Sequence, residues 1–258
     1  ATLSNLDEFA AWLAEVRGRT VRVVEEHKRA VPLGFRVATS ETGLLTVADM
    51  RKKHASWSRR MSHKLKRQRQ EERDRRGRGR DRGRDRGRRK RLSPPTSHID
   101  IFHMLVDEHL PYLYFVFSRR GTEELARGLG RYVSTGRSLL DYEEREEMEE
   151  RLEAFKKLPG ADVALYGGLE KLYRLGIGFH HAGLHVMLKA FVEELYEAKL
   201  IKVLYCTSTF ALGINMPARS AAFDGLQRYN GHEMIPLPTR EFMQMAGRAG
   251  RRGMDEEG

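Results

Sequence analysis

Residues 244–253, QMAGRAGRRG, set three arginines (Arg248, Arg251, Arg252) among three glycines (Gly247, Gly250, Gly253) behind Gln244. A guanidinium is always charged and presents a fixed fork of donors that matches phosphate oxygens. Glycines let the backbone come close to a ligand. The combination points to a site that grips a phosphate chain or assists its transfer. The same composition also describes a flexible, solvated Arg-Gly tail, so the rest of the chain has to decide.

Three further clusters are built from smaller groups. Ser118 precedes Arg119 and Arg120. His180, His181 and Gly183 lie in HHAGL (180–184). Thr207, Ser208 and Thr209 lead into ALGINMPA (211–218). Small hydroxyls and glycines ahead of helix N-termini are how backbone amides reach phosphates. The histidines could equally pack or cap. A metal set of His180, His181 and His185 has neither a cysteine nor a clear carboxylate beside it, so no metal site is assigned. Cys206, the single cysteine, reads as a small packed hydrophobe. It excludes a disulfide framework and fits a reducing, cytoplasmic setting.

The clusters need elements to position them. Apolar residues at helical spacing predict helices over residues 4–17, 99–110, 122–133, 141–157 and 185–199, with a last one starting at 241–245. Ser4 and Asp7 suggest a capping box for the first, and Gly18 its left-handed stop. Strands are expected at 21–24, at 33–38 pairing with 44–47 as a hairpin, and at 112–117, 177–179, 201–206 and 220–223. The runs YLYFVF and IKVLYC are apolar throughout, which suggests strands buried on both faces. Strands alternating with helices predict an α/β fold with a doubly wound parallel sheet, in which function collects where strands end. Ser118, the HHAGL turn and Thr207 each follow such an end.

The chain carries +11 overall, which favours a polyanionic partner. Residues 51–91 hold 21 Lys/Arg against 5 Asp/Glu, a net +16, so the remainder sums to −5. All the basicity belongs to one segment. Its core, RRGRGRDRGRDRGRRKR (75–91), has nothing apolar to bury and cannot offset the entropy of ordering. Residues 51–95 are therefore read as a low-complexity, disordered insert, either a solvated spacer or a non-specific attractor of nucleic-acid phosphates. No run approaches 18 apolar residues, so no membrane span is expected.

FVFSRR, FHHAGL, TSTFALGINMPA and QMAGRAGRRG occur in the order and approximate spacing of the second RecA-like domain of superfamily 2 helicases. They most resemble the superkiller-type, RNA-decay branch of the DExH-box helicases. ATLSN resembles the tail of that family's third motif, and RAVPLG (29–34) resembles its inter-domain connector. The resemblance covers nearly everything outside 51–95. It implies the tail of a first RecA-like domain at 1–28, the connector and start of the second domain at 29–50, and the second, truncated after the sixth motif, at 96–258.

The resemblance also implies roles. Gln244, Arg248 and Arg251 match the sixth motif, the two arginines resembling fingers that approach the γ-phosphate of ATP. Gly213 and Asn215 match the fifth motif, near the nucleotide; many relatives carry aspartate in place of Asn215. Ser118, His180, His181, Gly183, Thr207 and Ser208 match contacts to a nucleic-acid strand, and Thr2 a motif coupling ATP state to unwinding. No G-x-x-x-x-G-K-[ST] loop and no D-E-x-H occur. ATP and Mg²⁺ would be held mainly by the first RecA-like domain, and this segment alone is expected to be inactive. The implied function is the C-terminal half of an ATP-dependent helicase acting 3′ to 5′ on single-stranded or 3′-overhang RNA. An ATP-independent RNA-binding remnant and a DNA repair helicase are the alternatives. The chain, opening ATLSN and closing MDEEG, reads as a piece of a longer protein.

Overall fold

The computed structural model describes residues 5–24, 26, 28–55, 96–136, 138–211 and 216–258. They fall into two compact units, Phe35–Asp107 on the one hand and Ala1–Gly34 with Glu108–Gly258 on the other.

In the first unit, β1 (Arg36–Thr39) and β2 (Gly43–Thr46) form the expected antiparallel hairpin, with Val37 opposite Leu45. Thr46 then starts a helix, α2, whose described part is residues 47–55: its hydroxyl accepts from the Asp49 amide at 3.1 Å and donates to the Asp49 carboxylate at 2.7 Å. Residues 51–55, read from sequence as the start of the patternless stretch, are thus helical. Residues 56–95, with the expectation of disorder placed on them, lie outside the described residues. Helix α3 (His98–Leu105) opens on a capping box between Ser97 and Asp100 and packs on β1. It ends five residues earlier than its apolar spacing predicts.

The second unit is a RecA-like α/β arrangement around a four-stranded parallel sheet in the order β4-β5-β3-β6. Its strands are β3 (Tyr112–Phe115), β4 (Ile177–His180), β5 (Val203–Cys206) and β6 (Ser220–Phe223). Every residue of β3, β4 and β5 is buried, as their continuous apolar runs require of strands covered on both faces. The covering comes from α4 (Arg119–Val133), α7 (Leu169–Tyr173) and α8 (Val186–Glu197), which pack on the strands. Helix α5 (Tyr142–Lys156) buries Met148, Leu152 and Phe155, the stripe its spacing marks, and turns its glutamates outward. Phe155 stacks on Phe191 of α8 with ring centroids 4.2 Å apart.

Besides α2, the sequence reading has no counterpart for the single turn α6 (Ala161–Ala164), for α7, or for the small hairpin of β7 (Gln227–Tyr229) with β8 (Met234–Pro236). Helix α9 (Thr239–Ala246) closes the unit. Helix α1 (Leu6–Arg17) stops at Gly18 in the left-handed conformation, as expected, but begins at Asn5 with no side-chain cap and buries none of its residues. The strand expected at 21–24 is absent. Val23 and Val24 stand 37% and 83% exposed, and among the described residues no neighbouring strand supplies the ladder bonds an extended segment needs.

Candidate nucleotide and nucleic-acid interface

The sheet order makes β4, β5 and β3 immediate neighbours, and their register sets His180, Cys206 and Phe115 side by side. The three clusters that follow these residues therefore emerge at one edge of the sheet. The ladder continues past the strands: the Thr207 amide donates to the His180 carbonyl at 3.2 Å, and the Val116 amide to the Cys206 carbonyl at 2.9 Å.

Ser118 is the N-cap of α4, its hydroxyl accepting from the Gly121 amide at 3.2 Å. The first turn of α4 has no acidic residue and instead holds Arg119 and Arg120. Cations are disfavoured at a helix N-terminus, whose partial charge is positive. Arg120 is partly compensated by Glu124 at 2.6 Å. Arg119 extends beside the HHAGL turn: a β-carbon on Gly183 would sit 3.4 Å from the Arg119 side chain. The turn and the α4 N-terminus thus form one positively charged corner.

The histidine rings themselves face inward, 6% and 4% exposed. His180 Nε2 lies 2.9 Å from Glu193 of α8, and burial pushes its pKa down, against the pull of that carboxylate. His181 Nδ1 accepts from the Gly183 amide at 3.1 Å, which leaves Nε2 as the donor to Glu123 at 3.2 Å. Both rings are bound to protein carboxylates, and what the turn presents outward is its backbone. His185 is the N-cap residue of α8. Among the described residues, no group of three or more His, Cys, Asp or Glu is arranged to hold a metal ion. Thr207 and Thr209 share a hydroxyl–hydroxyl bond of 2.8 Å at the mouth of a 3₁₀ turn, Ser208–Ala211. Phe210 anchors that turn against His180 and Tyr196. Thr2, Gly213 and Asn215 lie outside the described residues.

The arginine stretch is not a loose tail. Gln244 sits half-buried on α9, and Gly247 caps that helix. Residues 248–250 then run parallel to 218–219, just ahead of β6: the Ala218 amide donates to the Arg248 carbonyl at 2.8 Å and the Gly250 amide to the Ala218 carbonyl at 2.9 Å. The Arg248 guanidinium donates through Nη2 to the carbonyl of Ala211, the last residue of the 3₁₀ turn. That bond ties the arginine loop to the strand-end cluster. Arg251 donates through Nε and Nη2 to both carboxylate oxygens of Asp255, at 2.8 and 2.7 Å. Its Nη1 edge is turned away from that carboxylate. Asp255 is 1% exposed in its side chain and also lies 3.5 Å from Arg219; its arginine partner holds its carboxyl below the usual range. Arg252 is exposed.

Three supporting groups went unread in the sequence. Asp255 follows Arg251 by four residues and was available as a local pair. Glu123 and Glu193 are distant from the histidines in sequence, and only the fold brings them there.

No protein-family model matches the chain. Its whole length is similar to several curated proteins. The DExH-box ATP-dependent RNA helicase DExH15, chloroplastic, of Arabidopsis thaliana is 33% identical over 100% of this chain and 23% of its own length. The probable helicase HelY of Mycobacterium tuberculosis is 36% identical, over 100% and 28%. Superkiller complex protein 2 of Mus musculus is 31% identical, over 100% and 21%. The chain thus spans about a quarter of the length of the relatives it matches. On a RecA-like sheet and along its full length, the chain is similar to DExH-box helicases, the superkiller type among them.

Proposed function

We propose that this segment is the second RecA-like half of an ATP-dependent helicase motor acting 3′ to 5′, with RNA as the substrate. The observation that carries the proposal is the Arg248–Ala211 bond, which ties the two-arginine loop to the turn that follows β5, the strand between β4 and β3. Phosphoryl transfer needs positive charge placed around the transferred group, and an arginine finger contributes about 10³–10⁵ in rate. Arg251 suits that task, because Asp255 occupies one side of its fork and leaves the Nη1 edge for another oxygen anion. Gln244 and Arg248 line the approach, with Gly213 and Asn215 next in the chain after the Ala211 turn.

At the strand ends, the α4 N-terminus with Arg119, the backbone of 180–183, and Thr207 and Ser208 offer amides, hydroxyls and positive charge to a phosphate backbone. ATP and Mg²⁺ would be held mainly by the first RecA-like domain. Residues 1–28 would be that domain's tail, which accounts for the exposed Phe9, Trp12 and Val16 of α1. Closure of the two domains around ATP would bring Arg248 and Arg251 to the γ-phosphate while the strand ends hold the nucleic acid. Thr2 would couple the two events.

In the full-length protein, Arg251→Ala should lower RNA-stimulated ATP turnover by about 10³-fold or more, with ATP and RNA binding retained. Undiminished turnover in this variant would remove the finger assignment. Duplexes with a 3′ overhang, made in matched RNA and DNA form, test the substrate: preferential unwinding of DNA would replace RNA with DNA in the proposal.

A further inference from the structure

The segment RAVPLG (29–34) packs directly against the arginine loop. Arg29 gathers three main-chain carbonyls with one guanidinium: Nε donates to Val31 at 3.0 Å, Nη1 to Gly247 at 3.2 Å and Nη2 to Ala249 at 2.9 Å. Gly247 and Ala249 flank Arg248. The Arg248 carbonyl, pointing the opposite way, accepts from Ala218. Here α9 runs out in a turn, the Arg248 and Ala249 amides donating back to the Met245 and Ala246 carbonyls, and the carbonyls on either side of Arg248 are taken by Arg29. Ala218, just ahead of β6, meets Ala249 in a single parallel bridge. Beside that bridge, the one side chain of Arg29 supplies donors to the carbonyls before and after Arg248. Val31 is buried beneath Gly250, whose φ of +84° and close approach leave no room for a β-carbon: one would meet Val31 at 2.6 Å. Farther along, the Gly34 amide donates to the Gly258 carbonyl and the Gly258 amide to the Pro32 carbonyl, both at 2.9 Å. Cation and helix end also match, since Gly247 is the C-cap of α9, where the helix dipole is negative.

We propose that Arg29 is a positioning residue for ATP turnover: it fixes the backbone on both sides of Arg248 and so aims that guanidinium. This rests on the reading of Arg248 as part of the catalytic arginine loop. Arg29 touches neither nucleotide nor nucleic acid; it acts through the loop. Because it stands at the head of the segment resembling an inter-domain connector, a change in the connector's path moves the same carbonyls that set Arg248.

The test compares Arg29→Ala, Arg29→Lys, Arg248→Ala and the Arg29→Ala/Arg248→Ala double variant in the full-length protein. ATP turnover with RNA and amide hydrogen exchange over residues 247–250 are the readouts. Loss of aim predicts that Arg29→Ala lowers kcat by about ten- to a hundredfold with KM for ATP within about twofold. Exchange at 248–250 should rise, and the double variant should be no worse than Arg248→Ala alone. Lysine keeps the charge but not the fork, so Arg29→Lys should fall between the two and guards against a poorly folded alanine variant. Unchanged exchange in both Arg29 variants would overturn the latch. Faster exchange with normal kcat, while Arg248→Ala is inactive, would overturn the positioning role and leave the helicase reading standing. An active Arg248→Ala enzyme would overturn the arginine-loop reading and this inference with it.

Discussion

Arg248 and Arg251 turn the same guanidinium chemistry to different ends. Arg248 spends a donor on a neutral carbonyl and stays with its turn; Arg251 is gripped side-on by a buried carboxylate. The second arrangement has a pH signature. The Asp255 carboxyl is held below its usual range, first by the hydrogen bonds from Arg251. A depressed carboxylate stabilises the fold fully above its unfolded pKa, about 3.9, and that contribution is lost as pH falls through the lower folded value. Asp255→Asn should therefore cost about 2 kcal/mol at pH 7. The gap to the parent protein should close under acid conditions below both pKa values. Urea melts at the two pH values measure this; a gap that persists in acid would show that Asp255 acts by packing rather than by charge. The arginines and glycines of this loop were legible in the sequence as a candidate phosphate site. The carboxylate that orients one of them was not, since an Asp in a run of charges looks like solvated surface until its burial is known.

Among the elements, the strands most dependent on their own side chains were the easiest to read. YLYFVF and the VLYC of β5 have no polar face and can only be interior strands. The pattern failed where local apolar content and long-range pairing disagree: Val21–Val24 has the residues of a strand and no neighbour to pair with. Helix α7, with five residues, and the three-residue strands β7 and β8 are too short to show a period, and tertiary contacts alone hold them. The histidines lie between these cases. Their place at the end of β4 followed from the sequence, whereas the inward turn of both rings depends on Glu123 and Glu193. At this scale, the seating of Val31 under Gly250 is testable. Gly250→Ala combines a left-handed backbone with a clash and should destabilise by more than about 1 kcal/mol. A variant as stable as the parent in denaturant melts would mean that the connector does not rest on the loop.

For the whole molecule, the charge is gathered in one stretch of the sequence. The positive excess sits in residues 51–91, and the remainder of the chain sums to −5. Because α2 extends through residue 55, a deletion that respects the structure removes 56–95. It should leave the thermal transition of the full-length protein in place and flatten the salt dependence of RNA affinity, as fewer counterions are released. Loss of the transition would show that the segment is part of the folded body; an unchanged salt slope would show that it does not meet the RNA. The strand order carries a consequence for how the chain is made. Strand β3 lies between β5 and β6, so Tyr112 waits about 90 residues for Val203, its first partner in the ladder, a separation that slows folding. At ribosomal speeds that wait lasts on the order of ten seconds. Throughout it, the most apolar stretch of the protein is outside the exit tunnel with neither edge paired, so a nascent-chain chaperone has its natural client in YLYFVF.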